Sequence, residues 1–348
     1  MEQLLSENEI RELVKKHASK VNEGRTVRQL IEDGEIPRLK GCTIQEGKVS
    51  DSVFGEKLKT KTGVPIRLMF RSNRISTHDV NRGAIAFKDQ VLAANHNFML
   101  NLVKDALGSS EFVIPNLNPT ATVIASENVN ILKIENVVRM YMAESSTSTS
   151  LYQHYLKGER EFCGHKLPDG LKVNDKLPYL MDTPSTKEKN DRSVSPEYFF
   201  ENKICTKEEY IEIRNASLMS YGIVSGFLKN KNLVLVDTKT EHGRNSKGKI
   251  VVADEVYTLD SSRFWRVDDK GNLELDEKGK PKSFSKEFAR GMVKDEKTQM
   301  FTEEQTNEIA VRYIMGYQYL TGKRFTPDLR PREQRIIETT NLILDYLM

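Results

Sequence analysis

The sequence has little of what staples or seals an extracellular or membrane protein. It holds three cysteines, Cys42, Cys163 and Cys205, widely spaced and without a CxxC pair. An odd, scattered set excludes a disulfide framework and a cysteine zinc site, and points to a reducing, cytoplasmic compartment. No apolar run approaches the ~20 residues that a membrane-spanning helix needs. The opening MEQLLSENEIRELVKKH carries acids where a secretory leader would carry a basic and then an apolar stretch. Charge of one sign is also lacking: 53 basic and 50 acidic side chains leave a net charge of +3. That surplus gives no footprint for nucleic acid, and no aromatic-stacking module is visible. There is no HExxH, no nucleophile elbow and no GxxxxGK[ST] loop, and the six histidines are scattered. Zinc hydrolysis, serine-nucleophile chemistry and P-loop nucleotide binding are thereby set aside.

What is present is a globular balance, 38% hydrophobic and 30% charged over 348 residues. Leu4, Leu5, Ile10, Leu13 and Val14 fall at helical spacing, and a second short helix is expected before residue 40. Residues 41–75 read as strands broken by turns, with GVPIRLMF alternating as an antiparallel strand does. A helix is predicted over 88–107, and strands over ATVIAS and NILKIENVVRMYM. ESSTSTS (144–150) reads as a loop, and the proline-bearing 164–198 as an ordered functional loop. A helix over about 206–228 leads into NLVLVDTKTEHG and KIVVADEVYTLD, two β-rich segments joined by a turn. Residues 268–282 read as a polar connection and 285–348 as helical, with Pro327 and Pro331 separating the last two helices. The order argues for an α+β fold with a mainly antiparallel sheet. Three regions are expected: an N-terminal helical extension over 1–40, a β-rich lobe over 41–135, and a larger α/β lobe with C-terminal helices over 136–348.

The chemistry concentrates in LVDTKTEHGRNSKGKIVVADEVYTLDSSRFW. Asp237, Lys239 and Glu241 alternate on one strand and so share a face. Asp254 and Glu255 are placed on the next strand, where a hairpin brings Asp254 towards Glu241. Two carboxylates on one face repel unless something positive lies between them. Mg²⁺ on nucleotide phosphates would serve, with Lys239 holding a phosphate. Without the following DSSRFW, the same alternation would describe a solvated hairpin. EGKVSD (46–51) places glycine and lysine between strands, as a phosphate-approaching loop or an ordinary turn would. TPSTK offers Thr183, Ser185 and Lys187 to a phosphate or carboxylate. RSNRISTHDV gathers Arg71, Arg74, Ser76, His78 and Asp79.

GKVSD, NRISTHD, TPSTK and VDTKTEHG…DEVYTLDSSRFW, in this order, resemble the phosphoribosylaminoimidazole-succinocarboxamide synthase (SAICAR synthetase) family over roughly residues 41–325. The resemblance implies a smaller β-rich lobe with a kinase-like, ATP-grasp-like nucleotide site beside a larger α/β lobe. It implies ATP-dependent joining of an aminoimidazole ribotide carboxylate to L-aspartate, with ATP and Mg²⁺ as cofactors and small molecules as partners, with no nucleic acid or membrane and the oligomeric state left open. Gly47, Lys48 and Val49 match its phosphate-covering loop, and Asp237, Lys239 and Glu241 its nucleotide site. Glu241 and Asp254 match its metal carboxylates. Arg139, Ser150 and Arg263 match ribotide-holding positions, and Lys187 a substrate-contacting lysine. Ser76 and Asp79 fall in its pocket-lining segment, with Thr183 and Ser185 beside Lys187. Lys187, Lys239 and Arg263 are the implied catalytic cations. The chain departs from the pattern at Ser50 (usually arginine), Asn73 (aspartate), Thr77-His78 (Ala-Phe), His242 (phenylalanine) and the longer ESSTSTS turn. Two other readings are a related ligase with a different carboxylate or amine, and a non-catalytic nucleotide-binding protein.

Overall fold

Alternation becomes pleat where it was expected. In this computed structural model, which describes residues 2–348 except 78–79, 146, 148, 189–190, 285, 294, 296 and 298, Pro65–Arg71 is a strand. It lies in an antiparallel sheet ordered Thr43–Glu46, Ser50–Lys59, Pro65–Arg71, Val123–Glu127. Val53, Leu58, Ile66, Leu68 and Phe70 supply its apolar face. Val27, Leu30, Ile31, Ile36 and Leu39 pack into the same core, as do Ile336, Ile343, Leu344 and Leu347 of the helix Arg332–Leu347. The first helix, Glu7–Asn22, opens with a reciprocal Ser6/Glu9 cap. The Gln318 side-chain amide fastens the segment before it, donating to Leu5 O at 2.9 Å and accepting from Leu5 N at 3.1 Å. Glu303–Thr321 ends at Gly322, whose φ of +71° is the left-handed closure that glycine allows. Pro327 and Pro331 separate that helix from the last one, as expected. All of this belongs to one compact unit, Met1–Phe98 with Ser110–Asn128 and Phe284–Met348.

The second unit comprises Met99–Ser109 and Val129–Ser283. Its six-stranded antiparallel sheet runs Lys176–Asp182, Asn130–Tyr141, Leu233–Arg244, Ile250–Ala253. Ser185–Thr186 also pairs with Asn130–Tyr141, and Ser262–Arg266 with the central strand Leu233–Arg244. The helix Lys207–Leu228, begun by a Thr206/Glu209 capping box, covers one face of the sheet with Tyr210, Ile213, Ser217, Tyr221, Val224 and Leu228. Mixed α and β elements, antiparallel sheets and a C-terminal helix agree with the fold class read from the sequence.

Two expectations need correction. Residues 164–198 are not one irregular loop, because they hold the strand Lys176–Asp182 and the helix Pro196–Glu201. The prolines that disguised them sit where proline is tolerated. Pro178 lies on a sheet edge, at the register break between Lys176 and Met181, and Pro196 starts a helix. Nor do Asp254 and Glu255 lie on the second strand of the hairpin: it stops at Ala253, and Asp254 turns the chain with φ +62°.

Candidate active site

The central strand presents Asp237, Lys239 and Glu241 on one face, while Thr240, between them, points the other way to Ser217 of the covering helix. Register then decides what faces these three. Asp237 is opposite Arg139 on one side and Arg263 on the other, so a guanidinium, a carboxylate and a guanidinium form a row across three strands. Arg263 Nε donates to Asp237 Oδ1 at 3.0 Å, and its Nη2 lies 2.9 Å from Oδ2. Arg139 Nη1 lies 3.6 Å from the same Oδ2, and its Nε donates to Thr183 Oγ1 at 2.8 Å. Burial lowers the Arg139 pKa, Asp237 opposes that shift, and Arg263 adds to it. Two cations share one anion, and the row keeps a positive surplus.

Four residue pairs along, the sign reverses. Glu241 is directly opposite Glu135. Like charges so placed repel, and Lys239 relieves them: its Nζ donates to Glu241 Oε1 at 2.5 Å and to Glu135 Oε1 at 3.3 Å. Lys187 reaches the other oxygen of Glu241 from beyond the short strand Ser185–Thr186. Ser185 Oγ donates to Glu135 Oε2 at 3.4 Å. Burial alone would push the Glu241 carboxyl up, but Lys239 and Lys187 hold it below the usual range. Burial alone would pull Lys239 down, but Glu241, Glu135 and Asp254 hold it above the usual range. Asp254 therefore joins this group through Lys239. Three carboxylates against two ammonium groups leave a negative surplus.

The segment carrying Thr183, Ser185 and Lys187 is held from behind. Asp182, just before it, accepts from Tyr210 at 2.9 Å and Arg214 at 3.0 Å on the covering helix, and His165 Nε2 lies 3.3 Å from its carboxylate. Burial works against its ionisation, yet these three partners bring its pKa to about 2.

The structure thus brings together Arg139, Thr183, Asp237 and Arg263 in one row, and Ser185, Lys187, Lys239 and Glu241 in the other, with Asp254 nearby. Ser150 caps Leu151–Leu156, accepting from Gln153 N at 3.3 Å. Gly47, Lys48, Val49 and Ser76 belong to the first unit, and Asp79 lies outside the described residues. Gly47 makes a tight turn: its N donates to Ser50 O at 2.9 Å, and a Cβ there would meet that oxygen at 2.4 Å. Glu135 was missed, because nothing in IENVVR marks it before strand register is known. Among the described residues no three histidine, cysteine or carboxylate side chains form a metal cluster. The carboxylates suit a cation that takes one or two protein ligands and completes its shell with phosphate and water, as Mg²⁺ does.

Two departures from the family pattern are structural. Asn73 is buried and donates to Val21 O at 3.0 Å and to Asn22 Oδ1 at 2.8 Å, while accepting from Asp89 N at 3.0 Å. An ionised aspartate could not make those two donations. His242 is buried, and burial lowers its pKa to about 4.

Comparison with known proteins follows the same lines. The family model described as SAICAR synthetase matches residues 44–307. The chloroplastic phosphoribosylaminoimidazole-succinocarboxamide synthase of Arabidopsis thaliana is 35% identical over 295 residues, covering 80% of this chain and 69% of that one. The synthase of the same name from Legionella pneumophila (strain Paris) is 34% identical over 292 residues, covering 80% and 91%. Among solved structures, the SAICAR-synthase from Saccharomyces cerevisiae complexed with SAICAR superposes with a TM-score of 0.67 at 23% identity, covering 83% of this chain and 98% of that one. A SAICAR synthetase in complex with ADP superposes at 0.58 and 18% identity, covering 82% and 100%.

Proposed function

This chain belongs to the SAICAR synthetase family, the ATP-dependent ligases of purine biosynthesis, and on that premise we propose how its residues divide the work. The reaction joins the carboxylate of an aminoimidazole ribotide to the amine of L-aspartate, with ATP going to ADP and phosphate. A carboxylate is a poor electrophile, so it first takes the γ-phosphoryl group and becomes an acyl phosphate. The amine attacks the acyl carbon, the C–O bond to phosphate breaks, and the amine loses a proton. No protein nucleophile is required, and the work is positioning and charge neutralisation.

The observation that carries this reading is the two-signed sheet face: a cationic row at Arg139–Asp237–Arg263, then an anionic group at Glu135–Lys239–Glu241. Glu241 and Asp254 are the proposed ligands of Mg²⁺, which when bound would neutralise charge on the nucleotide phosphates. Lys187 and Lys239 would then turn from Glu241 to the transferring phosphoryl oxygens. Arg139 and Arg263 are the proposed clamp on the ribotide phosphate, since arginine can hold two phosphate oxygens in parallel. Thr183, Ser185 and Ser150 complete the substrate contacts, with Ser76 and Asp79 assigned from the family pattern alone. Gly47, Lys48 and Val49 are the proposed phosphate loop of a kinase-like nucleotide site in the β-rich part of the chain. Three free thiols favour a reducing compartment, for which the cytoplasm is the proposal; no helix among the described residues is long and apolar enough to cross a membrane.

The test is ADP release by purified protein with ribotide, aspartate and Mg²⁺ omitted in turn. Full turnover should need all three. Equal ADP release without the ribotide, or with another carboxylate in its place, would overturn the substrate assignment.

A further inference from the structure

Asp182 and Thr183 are neighbours at a strand end, and their side chains go to opposite sides of the sheet. Thr183 turns to the site, where its Oγ1 accepts from Arg139 Nε at 2.8 Å. Asp182 turns to the covering helix, to Tyr210 and Arg214. Where Asp182 is fixed therefore decides where Thr183 can stand, and through it the Arg139 guanidinium. Sheet pairing alone holds this point thinly. Thr183 N donates to Val137 O at 2.7 Å, but the strand Lys176–Asp182 has ended and Pro184 has no N–H to continue the ladder.

A small hairpin supplies the rest of the hold. Glu161–Phe162 and His165–Lys166 are joined through Cys163 (φ +51°) and Gly164 (φ +80°), the left-handed pair of a tight two-residue turn. Phe162 is buried in one core with Leu177 and Met181, which docks the hairpin on the strand. The hairpin then presents a donor on either side of Thr183. His165 Nε2 lies 2.8 Å from the Asp182 carbonyl oxygen and 3.3 Å from its carboxylate. A ring nitrogen facing two acceptors carries its hydrogen. Cys163 Sγ donates to Pro184 O at 3.6 Å, an oxygen that also accepts from Val194 N at 3.1 Å. Burial pushes that thiol up to about 12, so it keeps its hydrogen. Replacing a buried charge network with apolar side chains is often neutral for stability. What a carboxylate held by three donors adds is a fixed position.

We propose that the hairpin Glu161–Lys166 is a positioning element for the ligase reaction, in which His165 and Asp182 set Arg139, through Thr183, on the ribotide phosphate. Both are positioning residues and act without touching substrate. This rests on the assignment of Arg139 to that phosphate, so the test varies Arg139 as well.

The experiment is steady-state kinetics on the full chain, reading KM for ribotide, ATP and aspartate beside a melting curve. His165→Leu removes the donor. It should raise the ribotide KM about tenfold, the effect of roughly one hydrogen bond, with kcat and the other two KM values near wild type. His165→Gln returns an N–H at similar reach and should recover most of that loss. Added to Arg139→Lys, His165→Leu should change little further, because both act on one contact. If His165→Leu fails to fold, Tyr210→Phe removes a donor to Asp182 from the helix side and should give the same selective rise. An unchanged ribotide KM, an equal rise in all three, no rescue by glutamine, or full additivity with Arg139→Lys would overturn the positioning role and leave the Arg139 assignment standing. A ribotide KM that Arg139→Lys does not move would remove that assignment, and the positioning role with it.

Discussion

Glu241 is the residue on which most of the proposed chemistry converges. It is buried, opposed by Glu135 and held by two lysines. Replacing it with glutamine removes a charge-assisted contact to a metal–phosphate centre, on the order of 2–4 kcal/mol of transition-state stabilisation. Glu241→Gln should therefore lower kcat roughly 30- to 1000-fold with the melting curve kept cooperative; near-wild-type turnover would remove Glu241 from the site. Arg263 separates two roles in one measurement. Arg263→Lys keeps the charge but loses the two-pronged hold. It should raise the ribotide KM by about 10- to 150-fold and leave the KM for ATP nearly unchanged. An equal rise for ribotide, aspartate and ATP would mark it as a packing residue. His242 bears on stability through its burial. Its folded pKa of about 4 lies below the ordinary value of about 6.5. Above pH ~6.5 the imidazole is neutral in both states and costs nothing by ionisation. As pH falls towards 4, the unfolded chain takes up a proton that the folded chain refuses, and stability is lost, by ~3 kcal/mol in the limit. His242→Phe should flatten stability between pH 6.5 and 4 in urea titrations; a slope as steep as wild type would sink this account.

At the scale of elements, the flanking strand Asn130–Tyr141 sets the site by how it lies against the central strand. Between the pairs Glu241–Glu135 and Gly243–Ile131 the register shifts. At this irregularity Gly243 lies so near its neighbour that a Cβ would meet Val129 Cγ2 at 2.6 Å and Asn130 O at 3.0 Å. Gly243→Ala should destabilise the protein by roughly 1–3 kcal/mol, the usual cost of overpacking. Because the shift begins at Glu241, it should also disturb Glu135–Lys239 and lower activity more than an equally destabilising change in the first unit. A wild-type melting temperature would show that the strands part without cost. The same element shows where sequence reading stops. Alternation along one strand was legible, and it put Asp237, Lys239 and Glu241 on a common face. Apolar spacing and prolines made helices legible too. Which strand lies alongside depends on pairing between residues about a hundred positions apart, and no local pattern encodes that. Glu135 went unseen for this reason, although it touches Lys239. The strand Lys176–Asp182 stayed hidden because proline masks an edge strand. The TPSTK segment was legible as chemistry, while the Asp182 anchor that holds it was not, being a contact with a helix about thirty residues on.

The whole molecule poses a question that the family match leaves open, since that match begins only at residue 44. A truncation at residue 41 would look natural by that criterion. The packing argues otherwise. Val27, Leu30, Ile31, Ile36 and Leu39 are buried in the same core as Val53, Ile66, Leu68 and Phe70. Arg25 Nη2 lies 2.8 Å from Glu333, ahead of residues of the last helix that share this core. Ile10, Val14 and Val21 are buried on the first helix. Full burial of an aliphatic side chain contributes about 1.5–3 kcal/mol. Eight such side chains together, about 12–24 kcal/mol, match or exceed the ~5–15 kcal/mol by which a domain is usually stable. Their loss would also leave the apolar face of the first sheet open to water. Deleting residues 2–40 should therefore yield a chain that aggregates or binds a hydrophobic dye, with no cooperative melt for the first unit. Deleting residues 2–5, which lie ahead of the first helix, should cost the two Gln318 hydrogen bonds and the Arg324 contacts to Gln3 O and Glu2, and lower the melting temperature slightly. Comparing the two truncations by calorimetry separates a removable extension from a built-in wall. If the longer deletion melts cooperatively near wild type and stays soluble, the first 40 residues are an appendage and the core assigned to them here is wrong.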